Sequence, residues 1–315
     1  MQAATIVDGH LEWRARPDPV PGPGQLLVRV EAAGVNAADL AQVQGFYPAP
    51  PDAPPDIPGL ELAGEVISAG RAVSRFAGGD RVMALVGGGG QAELAVVDEH
   101  HAMALPDGID WAEGAGFPEV FCTAHDALFT QCGLGLGDRV LITGAAGGVG
   151  TAAVQLAAAA GAEVVASVWR PEHRDAVAAL GASRVVDPTE AGAQGPFDAV
   201  LELVSGEGFT DSLGALGTGG RLCVIGVGGG AQVPLELFTL MSRRLVICGS
   251  TLRARSAAEK TSVVRFVETK VLPLFSSRRV RVPLFRTFPL AEAAGAYERF
   301  AAGGKLGKIV LRRGG

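Results

Sequence analysis

Three regularly spaced glycines are the residues of this chain whose type and position point most directly to chemistry. Gly144, Gly147 and Gly150 follow a short apolar run and lead into a helix-forming run. In such a strand–turn–helix, backbone N–H groups can approach a pyrophosphate, and the helix N-terminus adds a partial positive charge. The pattern predicts that these glycines, with Gly148 and Val149, bind the phosphates of a dinucleotide. A purely structural turn is the alternative.

The end of the next predicted strand indicates which dinucleotide binds. An acidic side chain there would favour NAD, because it would accept hydrogen bonds from the ribose hydroxyls. The chain instead has Ser167, followed by Arg170, His173 and Arg174 around the start of the next helix. A planar guanidinium suits a 2′-phosphate dianion. The sequence therefore favours NADPH, with Ser167 and Arg170 as the best contacts, and an exposed basic helix start is the alternative.

Composition limits the classes of function. The chain has 315 residues, 48% of them hydrophobic, which suggests two domains with sizeable cores. A net charge of −6 argues against a general nucleic-acid surface. We see no apolar run long enough to span a membrane and no signal-peptide pattern. The four cysteines are widely spaced and form no CxxC, so we expect a cytoplasmic protein without a disulfide framework or zinc knuckle.

The elements that must position these residues fall into three regions. The first third is β-rich, which suggests a small barrel or sandwich. Its predicted elements are strands at 25–32, 60–69, 80–86 and 91–98, a helix at 36–44 and a proline-dense loop at 47–58. A helical stretch at 112–131 then leads into alternating strands and helices up to residue 251, which predicts a parallel, doubly wound sheet. The last region is mixed, with helices at 257–269 and 291–301, an extended segment at 280–290 and a strand at 308–311.

Short motifs along almost the whole chain resemble those of one protein family. They are GVNAAD at 34–39, GFYP at 45–48, PGLELAGEV at 58–66, GDRV at 79–82, GDRVLI at 137–142, ALGA at 179–182 and GKIVL at 307–311. In this order they resemble the medium-chain dehydrogenase/reductase superfamily, in its zinc-independent quinone oxidoreductase (zeta-crystallin-like) branch.

The resemblance implies an α/β architecture with two domains. A GroES-like β-rich catalytic domain is expected from residues 1–115 and 256–315. A Rossmann domain, a doubly wound parallel sheet that binds NADP(H), is expected from residues 116–255. The resemblance also implies a homo-oligomer, a dimer or a tetramer that often pairs edge strands near residues 245–251, and a homodimer is expected.

The same resemblance bears on metal binding. Zinc-dependent relatives have a cysteine at the position of Asn36, a histidine at that of Leu60 and a third ligand near Glu119. Catalytic zinc needs three protein ligands, and Asn36 and Leu60 cannot supply two of them. We therefore expect no metal. Without a Lewis acid, hydride transfer from NADPH to a quinone or an α,β-unsaturated carbonyl compound is favoured over alcohol oxidation.

The resemblance also assigns the reacting end of the site. Asn36 and Thr123 are expected to hold the carboxamide or ribose of the cofactor. Tyr47 and Asn36 are the catalytic candidates, because the Tyr47 hydroxyl is of the type that binds an acceptor oxygen or relays a proton. A lid or packing role is the alternative for Tyr47. The remaining implied cofactor contacts are Val204, Ile225, Gly226, Val227, Ser250 and Thr251.

Three other functions stay open at this stage. An enoyl-thioester reductase of polyketide or acyl metabolism would share the fold and the chemistry. A structural NADPH-binding protein would bind the cofactor without turnover, and a zinc alcohol dehydrogenase would contain stoichiometric metal. The expected partner is a small electrophilic acceptor, and neither nucleic acid nor a membrane is expected.

Overall fold

The computed structural model describes residues 1–314 and divides into two compact units. One unit comprises Met1–Val120 together with the chain from Leu252 onward, and the other comprises Phe121–Thr251. The sequence placed these two changes at residues 115 and 256. The first unit is β-rich and the second is an α/β unit, so the predicted fold class is confirmed. No helix in the described range is long and apolar enough to cross a membrane.

The first unit begins with nine elements. They are β1 Gln2–Val7, β2 His10–Ala15, β3 Gln25–Val35, α1 Ala37–Val43, β4 Glu61–Ala69, β5 Arg81–Leu85, β6 Leu94–Asp98, β7 Ala102–Ala104 and α2 Trp111–Ala115. The sequence prediction lacked the β1–β2 hairpin. Its turn is Asp8-Gly9, and both residues have positive φ values, 47° and 79°. This dipeptide is the usual two-residue hairpin turn, so a signal for the missed hairpin was present.

The second unit is made almost entirely of alternating helices and strands. In chain order the elements are α3 Pro118–His125 with a π-helical turn at Asp126–Gln131, β8 Arg139–Ile142, α4 Gly148–Ala159, β9 Glu163–Ser167, α5 Arg174–Ala178, β10 Arg184–Val186, α6 Pro188–Ala191, β11 Phe197–Glu202, α7 Phe209–Gly214, β12 Leu216–Val224, α8 Leu237–Ser242 and β13 Val246–Gly249. The prediction of a single helix at 112–131 is wrong. The helical stretch is interrupted before Pro118, which lacks an N–H group and disfavours a helical conformation in the residue before it.

The six strands of the second unit form one sheet in the order β10-β9-β8-β11-β12-β13. All neighbouring pairs are parallel. The strand order reverses between β8 and β11. In sheets of this kind, ligands bind outside the carboxyl ends of the strands at that switch point. The glycine turn follows β8 directly and therefore lies at this edge.

The last part of the chain completes the first unit. Its elements are α9 Ala257–Lys270, α10 Leu272–Ser276, β14 Leu284–Pro289, α11 Ala293–Ala301 and β15 Lys308–Arg312. They join a seven-stranded sheet in the order β14-β15-β3-β4-β5-β7, with β6 also paired to β3. Strand β15 runs antiparallel to β3, with Ile309 opposite Val35. This pairing brings Lys308 beside residues near the start of the chain.

Candidate functional site

The glycine turn after β8 has the geometry that a pyrophosphate requires. Gly144 has a φ of +58°, and a Cβ added to Gly150 would lie 2.5 Å from the carbonyl oxygen of Gly144. Only glycine fits such a close approach. Helix α4 is capped by Gly147, which has no side chain to satisfy the first N–H groups. Gly148 and Val149 form its first turn, so their N–H groups are available to a phosphate.

Two of the residues predicted to bind the 2′-phosphate of NADPH lie at the end of β9 or just after it. The carbonyl of Ser167 accepts a hydrogen bond from the N–H of Ala145 at 3.1 Å, which ties the strand end to the glycine turn. Ser167 itself is buried. Arg170 is exposed, and its guanidinium pairs with the exposed carboxylate of Glu172 at 3.3 Å. Exposed pairs of this kind contribute little, so the Arg170 guanidinium is available to an anion.

The other two basic residues differ from Arg170. Arg174 donates to Asp187 Oδ2 at 2.8 Å and to the carbonyl of Val168 at 3.4 Å, which ties the start of α5 to the strand ends. The Nε2 atom of His173 is buried and has no hydrogen-bond partner within the described residues. Arg174 therefore already belongs to a structural ion pair. Binding of the 2′-phosphate by Ser167, Arg170 and His173 stays a prediction.

A buried carboxylate that the sequence analysis missed organises the switch point. Glu202, the last residue of β11, accepts hydrogen bonds on one oxygen from the Thr143 hydroxyl at 2.7 Å and from two backbone N–H groups. Those groups belong to Val204 at 3.0 Å and Ser205 at 2.8 Å. Ser205 has a φ of 61°, a strained value for a residue other than glycine. Three charge-assisted bonds hold the loop in this shape.

Glu202 also fixes the end of the neighbouring strand. Its carbonyl accepts from the N–H groups of Ile225 and Gly226 at 2.9 and 3.2 Å. The carbonyl of Gly226 in turn accepts from the Ser205 hydroxyl at 2.8 Å. Val204 and Val227 remain 42% and 53% exposed. The structure therefore brings four predicted cofactor contacts, Val204, Ile225, Gly226 and Val227, together on one rim with an exposed apolar surface.

The remaining predicted contacts of the second unit lie on α3 and after β13. The Ser250 hydroxyl donates to Asp126 Oδ2 at 2.7 Å, and its N–H donates to the carbonyl of Val224 at 3.1 Å. Thr251 is exposed and Thr123 is buried in α3. Asp126 was not foreseen, although it begins a π-helical turn, a feature that is frequent at functional sites.

In the first unit, Asn36 belongs to a buried ion-pair network. The Lys308 ammonium donates to the carbonyl of Val35 at 3.1 Å and to Asn36 Oδ1 at 2.6 Å. It also lies 2.6 Å from Glu61 Oε1, and this pair is only 2% and 0% exposed. The Asn36 amide completes the ring by donating to Glu61 Oε1 at 3.0 Å. Both polar atoms of the Asn36 side chain are therefore already hydrogen-bonded.

Two further carboxyl groups border this network. The N–H of Glu119 donates to Glu61 Oε2 at 2.9 Å, and burial together with the Glu61 charge raises the pKa of the Glu119 carboxyl to about 8. Asp39 accepts from the N–H groups of Asn36 and Gly59, yet burial raises its pKa to about 7. Within residues 1–314 no group of three or more His, Cys, Asp or Glu side chains is arranged to hold a metal ion.

Tyr47, the other catalytic candidate, lies at the start of the proline-dense loop. Its ring packs against the guanidinium of Arg253, with 5.2 Å between Cζ and the ring centroid. Burial and the nearby Glu119 carboxylate raise the pKa of the Tyr47 phenol. Its hydroxyl is therefore a proton donor or hydrogen-bond donor at neutral pH rather than a phenolate.

Comparisons with known proteins address the whole chain. Residues 22–107 match the alcohol dehydrogenase GroES-like domain family, and residues 148–269 match the zinc-binding dehydrogenase family. The quinone oxidoreductase of Rattus norvegicus is 31% identical over 93% of this chain and 90% of its own length. A chloroplastic quinone-oxidoreductase homolog of Spinacia oleracea is 33% identical over 93% and 91%. A mycocerosic acid synthase-like polyketide synthase of Mycobacterium tuberculosis is 32% identical over 96% of this chain but only 15% of its own length.

Solved structures agree with these relatives. An NAD-dependent alcohol dehydrogenase covers 100% of both chains with a TM-score of 0.86 at 28% identity. Mycobacterial Rv1454c, solved as a complex with NADPH, covers 99% of both chains with a TM-score of 0.89 at 26% identity. The two domain-family matches, the glycine turn and the relatives that are more than 30% identical over nearly the whole chain all indicate one family. The chain therefore belongs to the medium-chain dehydrogenase/reductase family of oxidoreductases, in its quinone oxidoreductase branch.

Proposed function

We propose that this protein is an NADPH-dependent reductase of quinones or α,β-unsaturated carbonyl compounds. The observation that carries the proposal is the carboxyl edge of the second unit's sheet. It combines a glycine turn that fits a pyrophosphate with an exposed basic group, Arg170, where a NAD-specific site would carry an acid. The curated relatives of matching length are quinone oxidoreductases, and one structural neighbour was solved with NADPH.

The chain binds NADP(H), and its own residues account for the fit. Backbone N–H groups of the first turn of α4 would hold the pyrophosphate, and Arg170 would hold the 2′-phosphate. When bound, NADPH supplies the hydride. Tyr47 would donate a hydrogen bond to the acceptor oxygen and supply the proton that completes the reduction. Val204 and Val227 would exclude water from the reacting end.

We also propose that the reaction proceeds without a metal. Asn36 stands where zinc-dependent relatives have a cysteine. The Lys308 ammonium already pairs there with the Glu61 carboxylate and the Asn36 amide, so a positive charge already occupies this position. Leu60, at the second such position, is buried and offers no donor atom. Metal analysis of the purified protein tests this point, and stoichiometric zinc with zinc-dependent alcohol oxidation would contradict it.

The two units are proposed to divide the work. Residues 1–120 and 252–315 would form the catalytic domain, and residues 121–251 would form the cofactor domain. The protein is further proposed to be a cytoplasmic homodimer. Leu237, Phe238 and Met241 of α8 are 66%, 67% and 67% exposed, and the edge strand β13 follows α8 in the chain. Exposed apolar side chains and an open strand edge are both typical of a self-pairing interface, and sedimentation of a Phe238→Lys variant would test it.

An enoyl-thioester reductase is the second candidate, because the polyketide synthase match covers nearly the whole chain. One experiment separates the candidates. NADPH and NADH oxidation is followed with quinones, small enones and enoyl thioesters. The proposal expects turnover of quinones or enones with NADPH preferred. Exclusive turnover of thioesters would favour the second candidate, and tight NADPH binding without turnover of any acceptor would favour a structural NADPH-binding protein.

A further inference from the structure

The proline-dense loop that carries Tyr47 has no helix or strand between residues 46 and 60. A segment without its own backbone ladder must be held by contacts from outside it. Pro50, Ala53 and Pro54 pack against the glycine connection at 87–89, where a Cβ added to Gly87 would lie 2.9 Å from Pro50 Cγ. Such packing seats the middle of the loop. It does not fix the start, where Tyr47 lies.

The N–H of Tyr47 donates to the carbonyl of Ala41 at 3.2 Å, and Arg253 adds the side-chain contacts that hold this start. Arg253 lies just after the chain returns to the first unit, and it is only 6% exposed. Its Nη1 donates to the carbonyl of Tyr47 at 2.8 Å and its Nε to the carbonyl of Gly87 at 2.9 Å. Its Nη2 donates to Gln42 Oε1 at 2.6 Å. One guanidinium thus joins the loop start, the glycine connection and helix α1.

The same arginine reaches the far end of the loop through Gln42. The Gln42 amide donates to the carbonyl of Pro55 at 3.0 Å while its oxygen accepts from Arg253. The rigid guanidinium fork suits such a junction, because several donors point in fixed directions and the charge persists when buried. Burial lowers the pKa of Arg253, and the nearby Asp39 charge opposes that shift.

The Arg253 guanidinium also packs on the Tyr47 ring at 5.2 Å, a cation–π contact. Backbone and ring of Tyr47 are therefore held by the same side chain, and no hydrogen bond within the described residues occupies the Tyr47 hydroxyl. We propose that Arg253 is the positioning residue that sets the Tyr47 loop for acceptor turnover. This inference rests on the proposed function, in which Tyr47 contacts the acceptor.

The test compares Arg253→Lys and Arg253→Met with Arg14→Met, which removes an exposed arginine of the same unit. Acceptor kcat/KM is expected to fall roughly 10- to 100-fold in both Arg253 variants, the loss that a displaced catalytic group produces. The lysine variant fails as well, because it keeps the charge but not the fork. NADPH affinity, measured by fluorescence titration, is expected to stay within about twofold, since displacement of the loop changes turnover rather than dinucleotide binding.

Chemical rescue adds a readout that general destabilisation would not produce. Millimolar guanidinium is expected to restore acceptor turnover in Arg253→Ala, whereas methylammonium is not. Turnover unchanged in folded Arg253→Met, or equal losses in NADPH affinity and acceptor turnover, would overturn the inference.

Hydrogen exchange keeps the test independent of the proposed reaction. Amides of residues 45–58 are expected to exchange faster in Arg253→Met than in wild type, with the second unit unchanged. If wild-type protein reduces no acceptor, the proposed function fails, and unchanged exchange in this loop would then refute the role of Arg253 separately.

Discussion

The rim of the second unit, at residues 204 and 225–227, and the buried ion-pair network around Glu61 and Lys308 in the first unit hold their polar groups by different means. The rim is built mainly from backbone atoms of consecutive residues at strand ends, and the buried Glu202 carboxylate anchors it. The network is built from side chains far apart in the chain, such as Glu61 and Lys308. The difference teaches that the proposed phosphate site depends on local backbone shape, whereas the buried network of the first unit depends on tertiary charge pairing.

Removal of Lys308 is expected to have the largest effect. Lys308→Met would leave Glu61 as a buried, unpaired carboxylate, which costs about 3–5 kcal/mol of the free energy of unfolding. Urea unfolding measures this loss. The double variant Lys308→Met/Glu61→Gln should recover most of it, because the buried charge is then gone. A single variant as stable as wild type would show that the network carries no tertiary charge pairing.

Gly150→Ala tests the backbone side of the comparison. The added Cβ would lie 2.5 Å from the carbonyl oxygen of Gly144 and force the turn open, a clash that costs on the order of 2 kcal/mol. We expect NADPH affinity to fall roughly 30-fold, since each 1.4 kcal/mol is about tenfold. Gly208→Ala is the control, because nothing lies within 4 Å of its Cβ. Equal affinity in both variants would contradict a backbone-determined phosphate site.

Arg170→Ala tests whether a side chain, in addition to the backbone, contributes to cofactor binding in the second unit. Loss of one charge-assisted hydrogen bond corresponds to roughly 1.5 kcal/mol, so the Michaelis constant for NADPH should rise about tenfold. That for NADH should not change. Arg174→Ala is the matched control: it removes the pair with Asp187 and should lower stability without altering the NADPH preference. A similar rise for both cofactors in Arg170→Ala would remove the 2′-phosphate assignment.

The last prediction concerns how the stability of the first unit depends on pH. The pKa of Glu119 is raised from 4.5 to about 8 in the folded chain. Between these values the folded state holds a proton that the unfolded state has lost, so stability falls as pH rises. Glu119→Gln removes this titration, and its free energy of unfolding should fall less steeply, by up to about 1.4 kcal/mol per pH unit within that window. Asp39 titrates in the same direction and remains in the variant.

Urea unfolding across the pH series provides the measurement. Glu12→Gln, an exposed carboxylate paired with Arg14, serves as the control and should keep the wild-type slope. If Glu119→Gln and wild type lose stability in parallel, the Glu119 carboxyl is not coupled to the buried network.

Parts of the architecture could be predicted because their signals are local. The glycine turn, the alternation of strands and helices and the short strands of the first third each follow from spacing within a few residues. The break before Pro118 and the Asp8-Gly9 hairpin were missed, although both carry local signals. Glu202 belongs to no sequence motif that would have identified it. Its role depends on the neighbouring ends of β8, β11 and β12, which meet only when the sheet forms.

The sequence by itself determined the family, the two kinds of domain and the location of the glycine turn, because each rests on residue types at short, fixed spacings. Only the tertiary structure decided which polar groups are already bonded. In it, Arg174 forms an ion pair with Asp187, and the Asn36 amide is hydrogen-bonded to Lys308 and Glu61. Arg253 donates to the carbonyl of Tyr47. Pairings between residues dozens to hundreds of positions apart depend on how strands register and burial removes water, and no local pattern records them.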